Sequence, residues 1–448
     1  MKKLLSILLV LAMVCGFAAC GEEAPAKTTA PATTAPEISD VLRVGFGRAD
    51  ITPEESVMLH GYPGQENRWS QTVLDPLYAT CIAISDAADN TIIVFHMDLT
   101  ATWGDCAVWQ RKAISDATGV PFKNIAVACT HNHSAPSMGF ADDERYPVMR
   151  RYADMVQQRM VEAATQAMAD RAACTMEYGA AYPEGLNFVR HYVMNDGSIV
   201  GDAFGSDTGK TYEGHVHDAD NQLQVVRFRR EGKKDIIMAN FQTHPHMCGG
   251  HLDGRVTSDL VGAMRSTMEQ ELDCQFLYFT GASGNVNPTS RIRRENTVTS
   301  HIDHGQKLAQ HAMEALQNTR QIPGGSVQVL ERDVVVYVNK NALDMRLLVL
   351  SAGGLAFGAP PYEMFDTNGK FIKNKSPFDA TFVLYLVNAS NGYVAEEAAY
   401  AYGGYEVEYS GYAKGTAEML ADNFVDMLYE LKGEENPNPI RQALPGKD

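Results

Sequence analysis

Short apolar runs recur along the chain and alternate with segments in which apolar residues lie three and four positions apart. Runs of this kind are typical of buried strands, whereas the second pattern indicates amphipathic helices. The pattern predicts strands at 91–97, 124–129, 223–229, 236–241, 275–280, 327–338, 355–358 and 381–387, and helices at 105–117, 146–170, 257–272, 300–318 and 413–431. This mixture predicts an α/β fold, with mixed and antiparallel β-sheets in a layered sandwich flanked by helices.

The first twenty residues have the composition of an export signal. A charged start is followed by the apolar stretch 4–14 and by small residues directly before Cys20. A cysteine in this place resembles a bacterial lipobox, in which the cysteine is lipidated after cleavage. We therefore expect residues 1–19 to be a lipoprotein signal peptide and Cys20 to anchor the body on the extracytoplasmic side of the cell membrane. Simple secretion is the alternative.

The rest of the chain divides into two parts. Residues 20–40 are rich in Ala, Thr and Pro and predict a flexible tether, whereas 41–448 predict a single domain without an internal linker or repeat. The formal net charge is −17, and it becomes −19 when Lys2 and Lys3 leave with the signal. An acidic body argues against nucleic acid as a partner and against electrostatic attachment to anionic lipid. Lipidated Cys20 is thus the only membrane contact that we expect, and the oligomeric state stays open.

Two histidine clusters each follow a predicted strand. They are His131 with His133, and His244 with His246. Residues two apart on a strand point to the same side, so such a pair can offer two imidazoles to one site. Imidazole is the commonest metal ligand, and zinc needs three or four nitrogen, oxygen or sulfur donors. The clusters predict a metal site, and loop histidines without a ligand role are the alternative.

Five further segments carry a family resemblance. They lie at 44–53, 130–134 (Thr-His-Asn-His-Ser), 241–244 (Phe-Gln-Thr-His), 361–363 (Pro-Tyr-Glu) and 392–394 (Gly-Tyr-Val). Together they resemble the catalytic domain of the neutral, non-lysosomal ceramidase family over nearly the whole body. The resemblance implies a ceramidase-like metallohydrolase domain over residues 41–448.

The resemblance also implies roles for particular residues. In that family zinc is held by two histidines, a glutamate and a tyrosine, which correspond here to His131, His244, Glu363 and Tyr393. It further places around the substrate carbonyl His133, Arg190 and Tyr405. The step of twelve residues from Tyr393 to Tyr405 agrees with the family's pattern.

One position departs from the family. Its serine nucleophile lies in a Gly-Asp-Val-Ser-Pro segment, and this chain has Gly-Asn-Val-Asn-Pro at 284–288. The side chain of Asn287 is a poor nucleophile, but its amide can donate to a developing oxyanion. We therefore expect a zinc-dependent, ceramidase-like hydrolase that cleaves an amide or ester bond with metal-activated water. The substrate is a small molecule or a lipid.

Two alternatives remain open. One is a hydrolase of small polar or carbohydrate-linked substrates that uses the same metal. The other is a non-catalytic, metal-containing surface lipoprotein that binds a small or carbohydrate-linked ligand. We expect the segments 137–146, 201–220 and 360–379 to be loops, and their shapes to decide whether a long acyl chain fits.

Overall fold

The computed structural model describes residues 41–62, 64–201, 209–250, 253–438, 440 and 441, so the predicted signal peptide and tether lie outside the described residues. The strands are β1 (Leu42–Asp50), β2 (Thr72–Val73), β3 (Tyr78–Ser85), β4 (Thr91–Met97), β5 (Ile125–Cys129), β6 (Ala172–Ala181), β7 (Phe188–Val189), β8 (His191–Met194), β9 (Ile199–Gly201), β10 (Tyr212–His215), β11 (Leu223–Arg230), β12 (Ile236–Phe241), β13 (Arg255–Val256), β14 (Gln275–Thr280), β15 (Val286–Asn287), β16 (Arg320–Ile322), β17 (Val327–Val338), β18 (Asn341–Ala352), β19 (Leu355–Ala359), β20 (Glu363–Met364), β21 (Ala380–Val383) and β22 (Tyr393–Val394). The helices are α1 (Gly104–Thr118), α2 (Pro147–Asp170), α3 (Asp259–Leu272), α4 (His301–Gln317), α5 (Asp366–Lys375), α6 (Tyr405–Ser410) and α7 (Thr416–Lys432).

Two sheets dominate the fold. The large sheet has the order β14-β12-β11-β6-β1-β3-β4-β5, and β16 also pairs with β6. Its neighbouring strands are antiparallel, except for the parallel pairs β12–β14 and β4–β5. The small sheet has the order β17-β18-β19-β21, and its last pair is parallel. The expected mixture of mixed and antiparallel sheets is confirmed.

The two sheets pack face to face between layers of helices. Ile82 and Val94 of the large sheet share a core with Phe357 of the small sheet. Their neighbours Cys81 and Phe95 point the other way, into a core with α1 and α2, because side chains alternate along a strand. Helices α3 and α4 cover the rest of that face, and α5 and α7 cover the outer face of the small sheet. The layered sandwich flanked by helices is confirmed.

The predicted strands and helices are all present, with small differences at their ends. The expected loop at 360–379 is wrong in part, because α5 occupies Asp366–Lys375. Its sequence has little helical signal, and the helix is stabilised by packing of Ile372 into the core that α7 shares. In the expected loop at 201–220, residues 212–215 form β10, and 202–208 lie outside the described residues.

The two edges of the large sheet approach each other along a seam, formed by His96, Thr130, Tyr278 and Thr280. The backbone N–H of Tyr278 donates to His96 Nδ1 at 3.0 Å, and the Thr280 hydroxyl donates to the carbonyl of Thr130 at 2.6 Å. These bonds join β14 to the β4–β5 side although the two sides lie at opposite ends of the strand order. The seam therefore brings the carboxyl ends of β5 and β12 together.

Two further observations concern the whole body. None of the described helices combines the length and the apolar composition that a bilayer span requires. The cysteines of the described chain are all free thiols, at positions 81, 106, 129, 174, 248 and 274.

Candidate metal centre

The chain turns sharply at His131, directly after β5. Its φ is 64°, in the left-handed region that residues other than glycine seldom adopt. The turn is held on both sides, because His131 N–H donates to Leu99 O at 3.0 Å and His133 N–H donates to Pro245 O at 3.1 Å. The two rings meet with their Nε2 atoms 3.2 Å apart. The sequence pattern predicted that the two rings would meet on a strand, whereas they meet in the turn that follows the strand.

The other expected ligands come from distant segments. His244 follows β12, and its backbone N–H donates to Val286 O at 3.2 Å. The short ladder of β20 and β22 pairs Glu363 with Tyr393. Burial and the Glu363 carboxylate raise the pKa of Tyr393, while the Arg190 guanidinium lowers it. Tyr393 is therefore a neutral phenol beside Arg190, unless a metal ion binds its oxygen.

Hydrogen bonds assign the tautomers of two histidines. His131 Nδ1 lies 3.0 Å from the carbonyl of Thr100, and His244 Nδ1 lies 3.1 Å from the carbonyl of Val286. Because a carbonyl only accepts, each Nδ1 carries the proton and each Nε2 presents a lone pair. These Nε2 atoms lie 3.4 Å and 3.6 Å from Glu363 Oε2.

The facing atoms of His131, His244 and Glu363 carry no proton near neutral pH. Burial lowers the pKa of His131, and it lowers that of His244 to about 3. Burial raises the pKa of Glu363, but its imidazole neighbours and Arg190 outweigh this, and the pKa is about 2. Two lone pairs and a carboxylate oxygen thus face one another without a proton between them. This donor set fits a divalent cation.

A third imidazole belongs to the same group. His131, His133 and His244 are buried, and their ligand atoms all lie within 4.8 Å of one another. His133 Nδ1 has no hydrogen-bond partner among the described residues. The sequence analysis expected His133 beside the substrate, and the structure places it close enough to serve either the metal or the substrate.

Arg190 lies at the back of the site and connects several of its parts. Its Nη2 donates to the Tyr393 hydroxyl at 3.1 Å and to the carbonyl of Gly284 at 2.7 Å. Its Nε forms a short ion pair with Glu406, whose other oxygen lies 3.0 Å from His191 Nε2. Glu406 directly follows Tyr405, but nothing in the sequence marks it as a partner of Arg190. It is a site residue that the sequence analysis missed.

Asn287 is held by its side-chain oxygen. This oxygen accepts from His246 Nε2 at 3.0 Å and lies 3.4 Å from Arg190 Nη1. The side chain of Asn287 thus lies between His246 and Arg190. Tyr385, which the sequence analysis also missed, donates its hydroxyl to Glu363 Oε2 at 2.9 Å.

A pocket of about 300 Å³ opens over these groups. It is lined by His60, Gly61, Tyr62, Gly64, Glu66, His131, His133, Glu363, Tyr393 and Tyr405. The sequence analysis missed the five residues between 60 and 66, because a glycine-rich polar segment reads as an ordinary turn. A larger cavity of about 640 Å³ lies beside α3 and the start of α4, and none of these ten residues lines it.

Comparisons with known proteins bear on the fold. No protein-family model matches the chain, and no curated protein matches it. One similar solved structure is a ceramidase complexed with C2, with a TM-score of 0.71 and 15% identity over 90% of this chain and 77% of that chain. Another is the neutral ceramidase from Pseudomonas aeruginosa, with a TM-score of 0.69 and 15% identity over 90% of this chain and 76% of that chain. The neutral ceramidase-like fold is therefore confirmed.

Proposed function

We propose that this protein is a zinc-dependent, ceramidase-like hydrolase that cleaves an amide or ester bond. The observation that carries the proposal is the convergence of His131 Nε2, His244 Nε2 and Glu363 Oε2, with both Nδ1 atoms committed to backbone carbonyls. These three residues and Tyr393 would hold the ion, since zinc favours nitrogen and oxygen donors, and expansion to five-coordination would leave a position for water. Bound zinc lowers the pKa of water from about 15.7 to about 7 and so supplies hydroxide at neutral pH.

The protein's own groups would move the proton and hold the substrate carbonyl. Burial lowers the pKa of His133, so the ring is neutral and can accept a proton and return it to the leaving group. Arg190 and Tyr405 would donate to the developing oxyanion, and Glu406 holds the guanidinium of Arg190 in place. The amide of Asn287 supports this region and does not attack the carbonyl.

The substrate and the location of the protein belong to the same proposal. The likeness to solved ceramidases supports a lipid amide as the first substrate to test, with a small-molecule amide or ester as the alternative. The lipobox-like segment before Cys20 supports export and anchoring by lipid. The net charge of −17 supports the exclusion of nucleic acid as a partner.

The second candidate is a non-catalytic lipoprotein that keeps the metal and binds a ligand. It is favoured by Asn287, which stands where the ceramidase family has its nucleophile. Metal content alone does not separate this candidate from the enzyme, and turnover does.

The test combines elemental analysis with hydrolysis assays on a panel of amides and esters. We expect stoichiometric metal and turnover in the wild type, loss of both in His131→Ala, and reduced but measurable turnover with full metal in Asn287→Ala. His311→Ala, on the outer part of α4, is the control and should behave as the wild type. Stoichiometric metal without turnover of any substrate would favour the binding protein, and a protein that binds no metal would refute both candidates.

A further inference from the structure

One wall of the pocket does not belong to the metal centre. It is formed by residues 60–62, 64 and 66, which we call the pocket loop. His60, Tyr62 and Glu66 are its polar members. Because the other lining residues are the metal-centre and carbonyl-site groups, this loop is the part of the pocket that can distinguish one substrate from another.

The pocket loop lies directly on the turn that carries His133. Gly61 has a φ of 109°, and a Cβ atom there would lie only 2.5 Å from His133 Cγ. The Tyr62 ring packs edge-on against His133, with ring centres 5.2 Å apart. Arg68 Nη1 donates to the carbonyls of both His60 and His133, at 2.8 Å and 2.7 Å. The loop and the catalytic turn are therefore held as one unit.

His60 is fixed in place but keeps unused hydrogen-bonding capacity. Its N–H donates to Ala135 O at 2.9 Å, its carbonyl accepts from Arg68, and its ring packs edge-on against Trp103 at 4.9 Å. The ring lines the pocket, and its Nδ1 is buried without a hydrogen-bond partner among the described residues. Because this Nδ1 is shielded from solvent, Nε2 is the ring nitrogen that can bond a molecule in the pocket.

A neutral imidazole suits a hydroxyl group. Burial lowers the pKa of His60 to about 3, so the ring has one N–H donor and one acceptor nitrogen near neutral pH. A hydroxyl group likewise both donates and accepts. An alkyl chain offers neither and would leave the ring unpaired.

The composition of the pocket points the same way. Three histidines, three tyrosines, two glycines and two glutamates line it, and none of the described lining residues is aliphatic. Its volume of about 300 Å³ is at the lower end of the range of about 300–1,000 Å³ for small-molecule sites.

We propose that the substrate is a compact, hydroxyl-bearing amide or ester about the size of an acylated monosaccharide, and that His60 recognises one of its hydroxyl groups. This inference rests on the proposed function, and for the substrate it selects the small-molecule amide or ester over the lipid amide. The aromatic rings of the pocket would pack on the carbon skeleton, and the polar groups would pair with the hydroxyls. Long acyl chains are disfavoured.

The test compares three amides, each of which releases a primary amine that fluorescamine detects. N-acetylglucosamine is compact and hydroxylated, N-acetylcyclohexylamine is compact without hydroxyls, and N-palmitoylethanolamine has a long chain. Calorimetric titration measures the binding of the first two independently of turnover. The variants are His60→Phe, which keeps a ring, His60→Gln, which keeps an amide near the Nε2 position, and the remote control His311→Phe. Circular dichroism and metal analysis verify that each variant is folded and loaded.

We expect the wild type to have a higher kcat/KM for N-acetylglucosamine than for either of the other amides. It should also bind N-acetylglucosamine more tightly than N-acetylcyclohexylamine. In His60→Phe, kcat/KM and affinity for N-acetylglucosamine should fall at least tenfold, with less than a twofold change for N-acetylcyclohexylamine. His60→Gln should restore part of this loss. Equal or better turnover of N-palmitoylethanolamine, or binding that ignores the hydroxyls, would overturn this inference and leave the hydrolase intact. Absence of turnover with all three would count against the hydrolase, while the binding preference would still decide the role of His60.

Discussion

Replacing Glu406 by glutamine is expected to destabilise the fold, because Glu406 is the buried acid that balances the charge of Arg190. The side chain of Glu406 is only 2% exposed, and that of Arg190 is 10% exposed. Glutamine keeps the size of the side chain but leaves the guanidinium buried beside a neutral group. Removal of one partner of a buried ion pair typically costs about 3–5 kcal/mol in the free energy of unfolding.

The pKa of Glu406 gives a second measure of the same interaction. Burial raises this pKa, but the charge of Arg190 and the contact with His191 outweigh it and lower the pKa from 4.5 to about 2. A tenfold change in proton affinity corresponds to about 1.4 kcal/mol, so the charged carboxylate contributes about 3 kcal/mol. Since the folded pKa lies below the unfolded one, this contribution is complete above about pH 4.5 and is lost as the pH falls through about 2.

Urea unfolding, followed by tryptophan fluorescence at pH 7 and pH 3.5, tests both magnitudes. Glu406→Gln should be less stable than the wild type by about 3 kcal/mol at pH 7. At pH 3.5 this difference should shrink by about 1 kcal/mol, to about 2 kcal/mol. The matched control is Glu408→Gln, on the exposed side of the same helix, which should stay within about 0.5 kcal/mol of the wild type. A difference below about 1 kcal/mol at pH 7, or one that does not shrink in acid, would refute the assignment of Glu406 as the charge partner.

Three further predictions concern the metal and the pocket loop. His131→Ala should lose the metal in elemental analysis. His133→Ala should keep the metal, and its kcat should fall about 10²–10⁴-fold in the hydrolysis assay. Metal loss in both variants would make His133 a ligand. Gly61→Ala should destabilise the protein in urea by more than Gly64→Ala, because both glycines have positive φ but only a Cβ at position 61 would meet His133; equal effects would contradict this contact. A chelator should lower the melting temperature of the wild type and not that of His131→Ala. An ion that is present at about a thousand times its Kd adds about 4 kcal/mol to the stability of the folded state, and the chelator removes this contribution.

The strands and long helices were predictable because their signals are local. The runs 236–241 and 91–97 are entirely buried, and apolar residues occupy most of their positions. Helix α5 had no such signal, since its sequence Asp-Thr-Asn-Gly-Lys is weakly helical and its packing against α7 and β21 stabilises it. The alternation of apolar and polar residues along a strand indicates which face of the strand is buried. It does not indicate which other strand lies next to it. The seam between the sheet edges was therefore beyond the reach of the sequence pattern.

The residues of the candidate site divide in the same manner. His131 and His133 stood out because two imidazoles in a short motif are unusual after a buried strand. Glu406 and His60 did not, because a single acid or histidine becomes important only through a partner distant in sequence. Glu406 pairs with Arg190 across 216 positions, which no local pattern records.

The seam has a consequence for how the protein reaches its native state. His131, His244 and Glu363 come from three segments separated by more than a hundred positions each, and they meet only when the edges of the large sheet have come together. An ion held by them would act as a cross-link that closes two long loops, and the entropy of closing such loops would be included in its apparent affinity. Metal uptake would then report the completion of folding. Substitutions at Thr280 or His96, neither of which is a ligand, would lower metal affinity by making the closed sheet less populated.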